Sequence, residues 1–555
     1  MKRNHVKCKK VFMTAVILGL IMVLSACAIH PSETETRKAK LNAPGTFPIS
    51  KEKVTLTVGV VSSQYVEDWE SNALTKELEK KANVDLEFVV FQPNDVEVKI
   101  STMIASQTKL PDILALTNVD MRKYYDSGVL IPVTEYYNDP QLAYYFHQRM
   151  NGDEERKNQL FSMAAAANGE IYGTMRYTPE IGNEYPNRMW MNQTWLDALG
   201  LPMPTTTDEF YYTLKQFVEK DPNGNGKRDE IGLIGSMDGW RQKPQDTLMN
   251  AFIYVDPEHD YLSVKDGVLD VIYNKPEYKK GLQYLHTLMQ EGLFSPLSFT
   301  QNVTQLKEIL EDEEIQRVGC LAAGSLSVYV PDSERKKDFV AMPPLTGPDG
   351  VCYATYQSQL PIPGAYITKY CENPDLAFRM LDCMYEETMS MWQRFGEPEV
   401  DWSTDVDGKE GLYQDSLGVS AGFTQLRDVM GAQNSCWRDL MPAYRDAYSS
   451  LSMQGLAIPD NPYDYSVYTA SAVPLYMGKQ PPEVIRKLVY NEEEQRKIFN
   501  SRTSLESFRS ENVIRFITGD KPFSEWDSYV EELNKLGLQE FIEVSQAAYD
   551  REKKQ

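Results

Sequence analysis

Short segments with alternating or periodic apolar residues follow one another from about residue 54. KVTLTVGVV alternates apolar and polar positions as a half-buried strand does, and NALTKELEKKANV repeats apolar residues at helical spacing. The same order recurs in DLEFVVF, DVEVKISTMIASQ and LPDILAL. Strands that alternate with helices predict right-handed βαβ units and a parallel sheet covered by helices, which is an α/β fold.

The residues directly after two of these strands are candidates for a ligand site. Ligands of such sheets lie beyond the carboxyl ends of the strands. Gln64 and Tyr65 follow the first predicted strand, and Asn118 follows the third. We therefore expect these three side chains at the mouth of a cleft.

A second series of helices and strands begins near residue 185. TTTDEFYYTLKQFVEKD predicts a helix with a capping box of Thr206 and Glu209, and IGLIGS predicts a short strand. A chain of 555 residues with two such series predicts two large lobes or more.

The segment DPNGNGKRDE, residues 221–230, follows this helix and has the spacing of a calcium loop. Such a loop supplies oxygen at positions 1, 3, 5, 7 and 9, with glycine at position 6 for a sharp turn. Gly226 is at position 6, but position 12 is Gly232, so Glu230 would have to close the shell. The expected ligands, with Lys227 acting through its backbone carbonyl, are Asp221, Asn223, Asn225, Lys227, Asp229 and Glu230. A closed oxygen shell makes the predicted Ca²⁺ structural; a helix stop followed by a plain turn is the alternative.

The N-terminus is predicted to be an export signal. Residues 1–26 form a lipoprotein signal peptide, because a basic start precedes an apolar run too short for a comfortable membrane span. The run ends in Leu-Ser-Ala-Cys, a bacterial lipobox, so Cys27 is the predicted lipidation site; an ordinary signal peptide is the alternative. Residues 27–51 are polar and are predicted to be a flexible tether. The acyl chains would hold the protein at the extracytoplasmic face of the cell membrane.

The charge balance argues against nucleic acid as a partner. The chain has 57 Lys and Arg against 80 Asp and Glu, a net charge of −23, whereas phosphate binding needs a basic face. The five cysteines after Cys27 have no CxxC spacing, so neither a disulfide framework nor a zinc site is expected.

Motifs for catalysis are incomplete in this sequence. GVSAG at 418–422 matches the G-x-S-x-G nucleophile elbow, but no histidine follows His286, as that motif requires. The histidines lack the spacing of a catalytic metal site, and no Walker A sequence occurs. Carboxylate pairs for glycoside hydrolysis are uninformative among so many acidic residues.

Aromatic residues make up 11% of the chain and are the more useful signal for a ligand. Their faces pack on the apolar faces of sugar rings, while nearby polar groups bind the hydroxyls. Core packing is the alternative for each of them. Candidates in predicted loops or at strand ends are Tyr65, Trp69, Arg188, Trp190, Trp240 and Trp402, of which Trp240 in SMDGWRQ is the strongest.

From about residue 52 to its C-terminus, the chain resembles the lipoprotein extracellular solute-binding proteins of bacterial carbohydrate ABC importers. The resemblance is carried by the lipobox, LPDILAL, TWLDALGLPMPTTTDEFYYTLKQFVEKDPNGNGKRDEIGL and the closing FITGDKPFSEWDSYVEELNKLGLQEFIEVSQAAYDR. The branch is similar to the long alginate-oligosaccharide-binding proteins. These carry calcium on this type of loop and close its shell with an Asp-Glu pair.

This resemblance implies a two-lobed periplasmic-binding-protein (Venus-flytrap) fold with a cleft crossed by hinge segments. One lobe is expected at 52–175 plus 345–390, and the other at 176–344 plus 391–555. The implied function is that of a monomer that captures an oligosaccharide by lobe closure and delivers it to the permease subunits of an ABC importer. A lipid-anchored glycan-degrading enzyme and a sensor module that presents its ligand to a receptor are the alternatives.

Overall fold

The computed structural model describes residues 40–63, 65–116, 119–312, 315–329, 333–406, 408, 410–427, 429, 431–446, 451–456 and 465–553. The predicted signal peptide, most of the predicted tether, Cys27, Gln64 and Asn118 lie outside the described residues.

The described strands form four sheets. In chain order the strands are β1 Val54–Val61, β2 Val84–Phe91, β3 Ile113–Ala115, β4 Gly173–Tyr177, β5 Met189–Asn192, β6 Ile231–Ile234, β7 Leu262–Lys265, β8 Val268–Val271, β9 Val318–Ala322, β10 Phe339–Met342, β11 Ile362–Ile367, β12 Trp402–Ser403, β13 Phe423–Gln425, β14 Ala443–Tyr444 and β15 Met453–Leu456.

The described α-helices cover these sheets. In chain order they are α1 Ala73–Ala82, α2 Val96–Ala105, α3 Thr134–Asn138, α4 Tyr144–Met150, α5 Glu154–Ala164, α6 Ile181–Glu184, α7 Gln193–Leu199, α8 Thr207–Lys220, α9 Pro244–Leu248, α10 Pro276–Gln290, α11 Val303–Leu310, α12 Pro374–Asp382, α13 Glu387–Phe395, α14 Gln414–Leu417, α15 Tyr465–Tyr476, α16 Glu492–Thr518, α17 Trp526–Lys535 and α18 Leu538–Glu552.

The first sheet has the strand order β14-β4-β11-β3-β1-β2 and forms the centre of what we call the first lobe. All neighbouring strands are parallel except β11, which is antiparallel to both β3 and β4. The predicted alternation of strands and helices is confirmed from β1 to β3. The predicted helix after β1 begins at Asn72, whose side chain accepts a hydrogen bond from the backbone N–H of Leu74 at 3.0 Å.

The second sheet has the order β10-β5-β9-β6 and forms the centre of the second lobe. β9 is parallel to β6 and antiparallel to β5, which in turn is antiparallel to β10. The predicted capping box of Thr206 and Glu209 is confirmed at the start of α8. That helix buries Phe210, Leu214 and Phe217 in the second core, which is the apolar face that its sequence predicts.

The lobe boundaries remain a prediction, and one segment departs from it. Trp437 and Met441 lie in the first core, and β14 is an edge strand of the first sheet. The sequence assigned this segment to the second lobe, within 391–555. Its long separation from β4 leaves no local pattern from which that pairing could be predicted.

α16 is the longest described helix, with 27 residues, and it begins with a capping box of Asn491 and Glu494. Its charged sequence and partly exposed surface fit a helix on the outside of the second core. No helix in the described ranges combines the length and the apolar character needed to cross a membrane.

The cysteines of the described ranges form no disulfide, as the sequence predicts. Cys320, Cys383 and Cys436 are buried, and burial raises the pKa of the Cys436 thiol to about 11. These thiols therefore serve as small apolar packing groups.

Candidate functional site

The carboxyl ends of the two sheets face each other across two crossing segments. Residues 178–188 run from the end of β4 to the start of β5, and residues 343–361 run from the end of β10 to the start of β11. β5 and β10 are antiparallel, as are β11 and β4, so both segments join the same pair of sheet edges. The space between these edges is where ligands of open α/β sheets bind.

Hydrogen bonds tie the two crossing segments to each other. The backbone N–H of Gln357 donates to the carbonyl of Glu184 at 2.8 Å, and the side chain of Gln359 donates to the carbonyl of Asn183 at 3.3 Å. The rings of Tyr185 and Tyr356 lie 5.6 Å apart. The segments therefore form one connected hinge between the sheets.

Trp240 lies at the carboxyl edge of the second sheet, in the loop that follows β6. Its side chain is 48% exposed, an uncommon exposure for tryptophan. The ring rests on Gly324, at the end of β9, where a Cβ would lie 2.2 Å from Trp240 Cε3. Gly324 also donates its backbone N–H to the carbonyl of Trp240 at 3.1 Å. The glycine thus leaves room for the ring close to the backbone, while about half of the residue stays exposed.

Arg188 holds the backbone at Gly324, against which the Trp240 ring packs. It is buried, and its guanidinium donates to the carbonyl of Gly324 at 2.5 Å and to the carbonyl of Gly182. Burial lowers its pKa to about 10. The arginine predicted as a ligand contact therefore braces the hinge and the floor beneath Trp240.

The other predicted tryptophans are packed inside the protein. Trp190 is fully buried and donates its indole N–H to the carbonyl of Ala323 at 2.9 Å. Trp69 packs edge-on against Trp437 with ring centroids 5.5 Å apart, in the first core. Trp402 is buried and donates to the carbonyl of Gly396 at 2.8 Å. None of these three rings presents a free face to the cleft.

Tyr65 lies at the carboxyl edge of the first sheet, after β1, where the sequence predicts it. Its carbonyl accepts hydrogen bonds from the backbone and the side chain of Gln433, at 3.1 and 2.8 Å. The guanidinium of Arg438 lies 5.5 Å from the centre of its ring. A distant segment of the chain therefore holds this loop in place.

Further arginines surround Asp439 beside this edge, and the sequence did not reveal them. Arg445 and Arg394 pair with Asp439 at 2.9 and 3.2 Å, and Arg394 also reaches Glu180 at 3.4 Å. Burial opposes ionisation of Asp439, but Arg445, Arg394 and Arg176 hold its pKa well below the ordinary range. These residues come from segments far apart in sequence, so no sequence motif identifies them.

The 221–230 loop is folded as a tight series of turns. Asp221 ends α8 in a left-handed conformation and accepts hydrogen bonds from the backbone N–H groups of Asn225 and Gly226, at 3.0 and 2.9 Å. Asn225 donates through its amide to both oxygens of Asp229, at 3.0 and 3.2 Å. Gly226 has a φ of 76°, which explains the glycine that the spacing predicts there.

Glu230 has an unusual position behind this loop. Both of its carboxylate oxygens are buried and have no hydrogen-bond partner among the described residues. Burial raises the pKa of Glu230, and the nearby carboxylates of Asp221 and Asp229 raise it further. A buried carboxylate without a donor is costly, and a cation beside it would remove that cost.

The acidic side chains alone do not form a metal centre. In the ranges that the structure describes, no group of three or more His, Cys, Asp or Glu side chains could hold a metal ion. The predicted set differs in kind, since two of its six ligands are asparagines and a third is a backbone carbonyl. The oxygen donors and the unpartnered Glu230 fit a hard cation such as Ca²⁺.

The two sheets, their facing edges and the paired crossing segments define the two-lobed periplasmic-binding-protein fold, as the sequence predicts. The family of bacterial extracellular solute-binding proteins matches residues 64–390. The chain therefore belongs to this family, whose members bind solutes and are not enzymes.

Relatives extend this assignment over the whole chain. The fructooligosaccharide ABC transporter substrate-binding protein FusA of Streptococcus pneumoniae is 22% identical over 97% of this chain and 97% of its own. The polygalacturonan/rhamnogalacturonan-binding protein YtcQ of Bacillus subtilis is 24% identical over 61% of this chain and 63% of its own. Lipoprotein LipO of the same organism is 35% identical over 24% of this chain and 25% of its own.

Solved structures share the fold. A FusA EF-hand mutant in complex with fructo-nystose matches with a TM-score of 0.69 and 22% identity, over 90% of this chain and 99% of FusA. An extracellular solute-binding protein from Bifidobacterium longum subsp. infantis matches with a TM-score of 0.74 and 20% identity, over 90% and 98%. The alginate-binding protein AlgQ2, solved without calcium ion, matches with a TM-score of 0.62 and 18% identity, over 90% and 99%.

Proposed function

We propose that this protein captures an oligosaccharide between its two lobes and delivers it to the permease subunits of an ABC importer. The observation that carries the proposal is Trp240, which is 48% exposed and lies in the loop at the carboxyl edge of the second sheet. Aromatic faces of this kind bind the apolar faces of sugar rings. FusA and YtcQ carry names that specify glycan ligands, which supports the same class of solute.

The proposed mechanism is binding followed by closure about the hinge. A sugar first docks on one sheet edge, and closure brings the other edge onto it. Closure is favoured only by as much as the ligand prefers the closed form over the open form. Of the predicted contact residues, Tyr65 and Trp240 lie on opposite sheet edges, and we propose both as ligand contacts. Gln64 and Asn118 are proposed as further contacts on the basis of the sequence alone. Arg188 is assigned a supporting role.

We propose further that the protein is a monomer held at the outer face of the cell membrane by lipid on Cys27. The lipobox and the polar tether support this, as does the likeness to a protein named lipoprotein LipO. Cys27→Ala should move the protein from the membrane fraction of its host to the medium or periplasm. Retention of the variant in the membrane fraction would contradict lipid anchoring.

The loop of residues 221–230 is proposed to hold one structural Ca²⁺. Its supporting observations are the left-handed glycines, the carboxylates of Asp221 and Asp229 close to Glu230, and the buried position of Glu230 without a partner among the described residues. The EF-hand named in the FusA structure is consistent with such a loop in a relative. Calorimetric titration of chelator-treated protein with Ca²⁺ should give one site per chain, and Asp221→Ala should abolish it. A titration without heat would return the loop to a plain turn.

Sugar binding can be tested with the mature protein and two alanine variants. Neutral and acidic oligosaccharides are screened by thermal shift, and hits are titrated by calorimetry. Loss of one aromatic contact is worth about 0.5–1.5 kcal/mol, so Trp240→Ala should weaken binding up to about tenfold at an unchanged melting temperature. Phe499→Ala is the matched control, since that ring is 70% exposed and lies on α16.

Two outcomes would contradict the proposal. If no oligosaccharide raises the melting temperature, the solute is of another class. If chromatography of the incubated sugars detects products, the protein is an enzyme rather than a carrier. Equal affinities of Trp240→Ala and Phe499→Ala would remove Trp240 from the site.

A further inference from the structure

Four arginines meet at the carboxyl edge of the first sheet, and we call them the arginine cluster: Arg176, Arg394, Arg438 and Arg445. Arg176 lies near the end of β4, and Arg445 directly follows β14, which is parallel to β4. Arg438 extends the cluster toward Tyr65, in the loop after β1, and donates to the carbonyl of Arg394 at 2.9 Å. The cluster therefore lies along the edge that faces the cleft.

The cluster has more cations than anions. Among the ion pairs of the described residues, Asp439 pairs with Arg394 and Arg445, and Glu180 pairs with Arg394. Adding Asp446, the sequence neighbour of Arg445, gives three carboxylates against four guanidinium groups. This surplus is unexpected in a chain with a net charge of −23, because chance placement would give an acidic edge.

Arg176 carries the surplus. Among the described residues its side chain makes no hydrogen bond and no ion pair, although it is only partly exposed. Burial lowers the pKa of Arg176, and the charges of Arg445 and Arg394 lower it further, against the opposing charges of Asp439 and Glu180. A half-buried guanidinium without a partner has five donors available for a planar anion.

A second unpaired guanidinium lies nearby. Arg156 of α5 packs over the ring of Tyr444 at 5.2 Å, and its side chain has no carboxylate partner in the described ranges. The ring of Tyr177 lies 6.0 Å from that of Tyr444. Cationic groups and aromatic surface thus alternate at this end of β4 and β14.

Resting on the proposed oligosaccharide function, we propose that the ligand is acidic and that its carboxylate binds Arg176 within the arginine cluster. Trp240, on the opposite edge, packs against a sugar ring, while the first lobe selects for charge. The names of the relatives do not decide this point, since fructooligosaccharides are neutral and polygalacturonan is acidic.

The test compares acidic sugars with neutral sugars of the same length. Trigalacturonate and an oligomannuronate are the acidic probes, and their carboxyl-reduced counterparts are the neutral probes. They are titrated by calorimetry into the mature protein, Arg176→Gln and the control Arg515→Gln, which removes an exposed arginine of α16 paired with Glu511.

An acidic probe should bind the wild type, and its affinity should fall as NaCl is raised from 50 to 500 mM. Arg176→Gln should weaken that binding about tenfold or more while Arg515→Gln leaves it unchanged. The neutral counterpart should bind all three proteins weakly and equally. Arg176→Gln should fold normally, because Arg394 and Arg445 remain paired with Asp439.

Three results would overturn the inference. Saturable binding of neutral oligosaccharides without binding of acidic ones would exclude an acidic ligand and leave the oligosaccharide function intact. Equal binding of an acidic probe to wild type and Arg176→Gln would exclude Arg176. Failure of every glycan to bind would remove the proposed function together with the charge preference.

Discussion

The 221–230 loop and the arginine cluster carry unbalanced charge of opposite sign. In the loop, Asp221, Asp229 and Glu230 converge, and the Glu230 carboxylate has no donor among the described residues. In the cluster, Asp439 is surrounded by arginines. Within the described ranges, the side chain of Arg176 has no hydrogen-bond acceptor. The loop belongs to the second lobe and the cluster to the first.

The difference teaches where a missing partner should be sought. A folded protein does not leave half-buried charge unpaired without cost. Surplus negative charge that is enclosed by one short loop suits a small cation that stays in place. Surplus positive charge along a cleft suits an anion that arrives and leaves.

The largest expected effect concerns Asp439, the carboxylate that Arg394 and Arg445 share. Asp439→Asn leaves Arg394 and Arg445 without their shared anion, and loss of one partner from a buried charge group costs about 3–5 kcal/mol. Urea unfolding followed by tryptophan fluorescence should detect it, since Trp437, two residues before Asp439, is buried in the first core. Asp520→Asn is the surface control, and a loss below about 1 kcal/mol would contradict the central role of Asp439.

The same carboxylate fixes the sign of a pH dependence. The folded pKa of Asp439 is lowered from its ordinary value of 3.8, so its stabilisation is complete above that value and is lost as the pH falls further. Wild-type stability should therefore decline in acid, and Asp439→Asn should decline less steeply over the same range. Parallel pH profiles of unfolding free energy would contradict this.

Removal of calcium should give the next largest effect. At a hundredfold excess over its Kd, a bound ion adds about 2.7 kcal/mol, which is about 5–10 °C of melting temperature for a large lobe. EDTA should lower the melting temperature of the wild type by this amount and have no effect on Asp221→Ala. Asp197→Ala, a surface change in the same lobe, should respond to EDTA as the wild type does. An unchanged wild-type melting temperature after thorough chelation would contradict the site.

The smallest effect should change sign with the metal. In EDTA, Glu230→Gln removes a buried charge that Asp221 and Asp229 repel, so the melting temperature should stay equal or rise by a few degrees. In millimolar Ca²⁺ the same change removes a ligand and should lower the melting temperature. A variant that is destabilised equally in both conditions would exclude Glu230 from the metal shell.

The two regions also differ in how far the sequence revealed them. The loop is contiguous, and glycine and asparagine at fixed spacing report directly on its backbone. The arginine cluster is assembled from β4, α13 and the segment around β14, so only the fold brings its members together. The topology from β1 to β3 and the capped helix α8 were predictable for the same local reason.

The tryptophans illustrate a second limit of the sequence. Trp190 and Trp402 lie at or beside strand ends as predicted, yet both are buried, because an aromatic ring at a strand end can turn to either side. Trp240 differs since it follows a strand in a loop and has a glycine beneath it, and that glycine is 84 residues away in sequence. The pairing of ring and glycine is visible only in three dimensions.

Gly324 offers a genetic tool. Because glycine has no side chain, there is room for the indole of Trp240. The methyl group of an alanine at this position would clash with the ring and displace it. A strain that carries Gly324→Ala in the chromosome would then export a carrier that is present in normal amounts but binds its cargo up to about tenfold more weakly, as expected for Trp240→Ala. Growth of that strain on single glycans, compared with its parent, would identify the nutrient without purified protein or a labelled sugar.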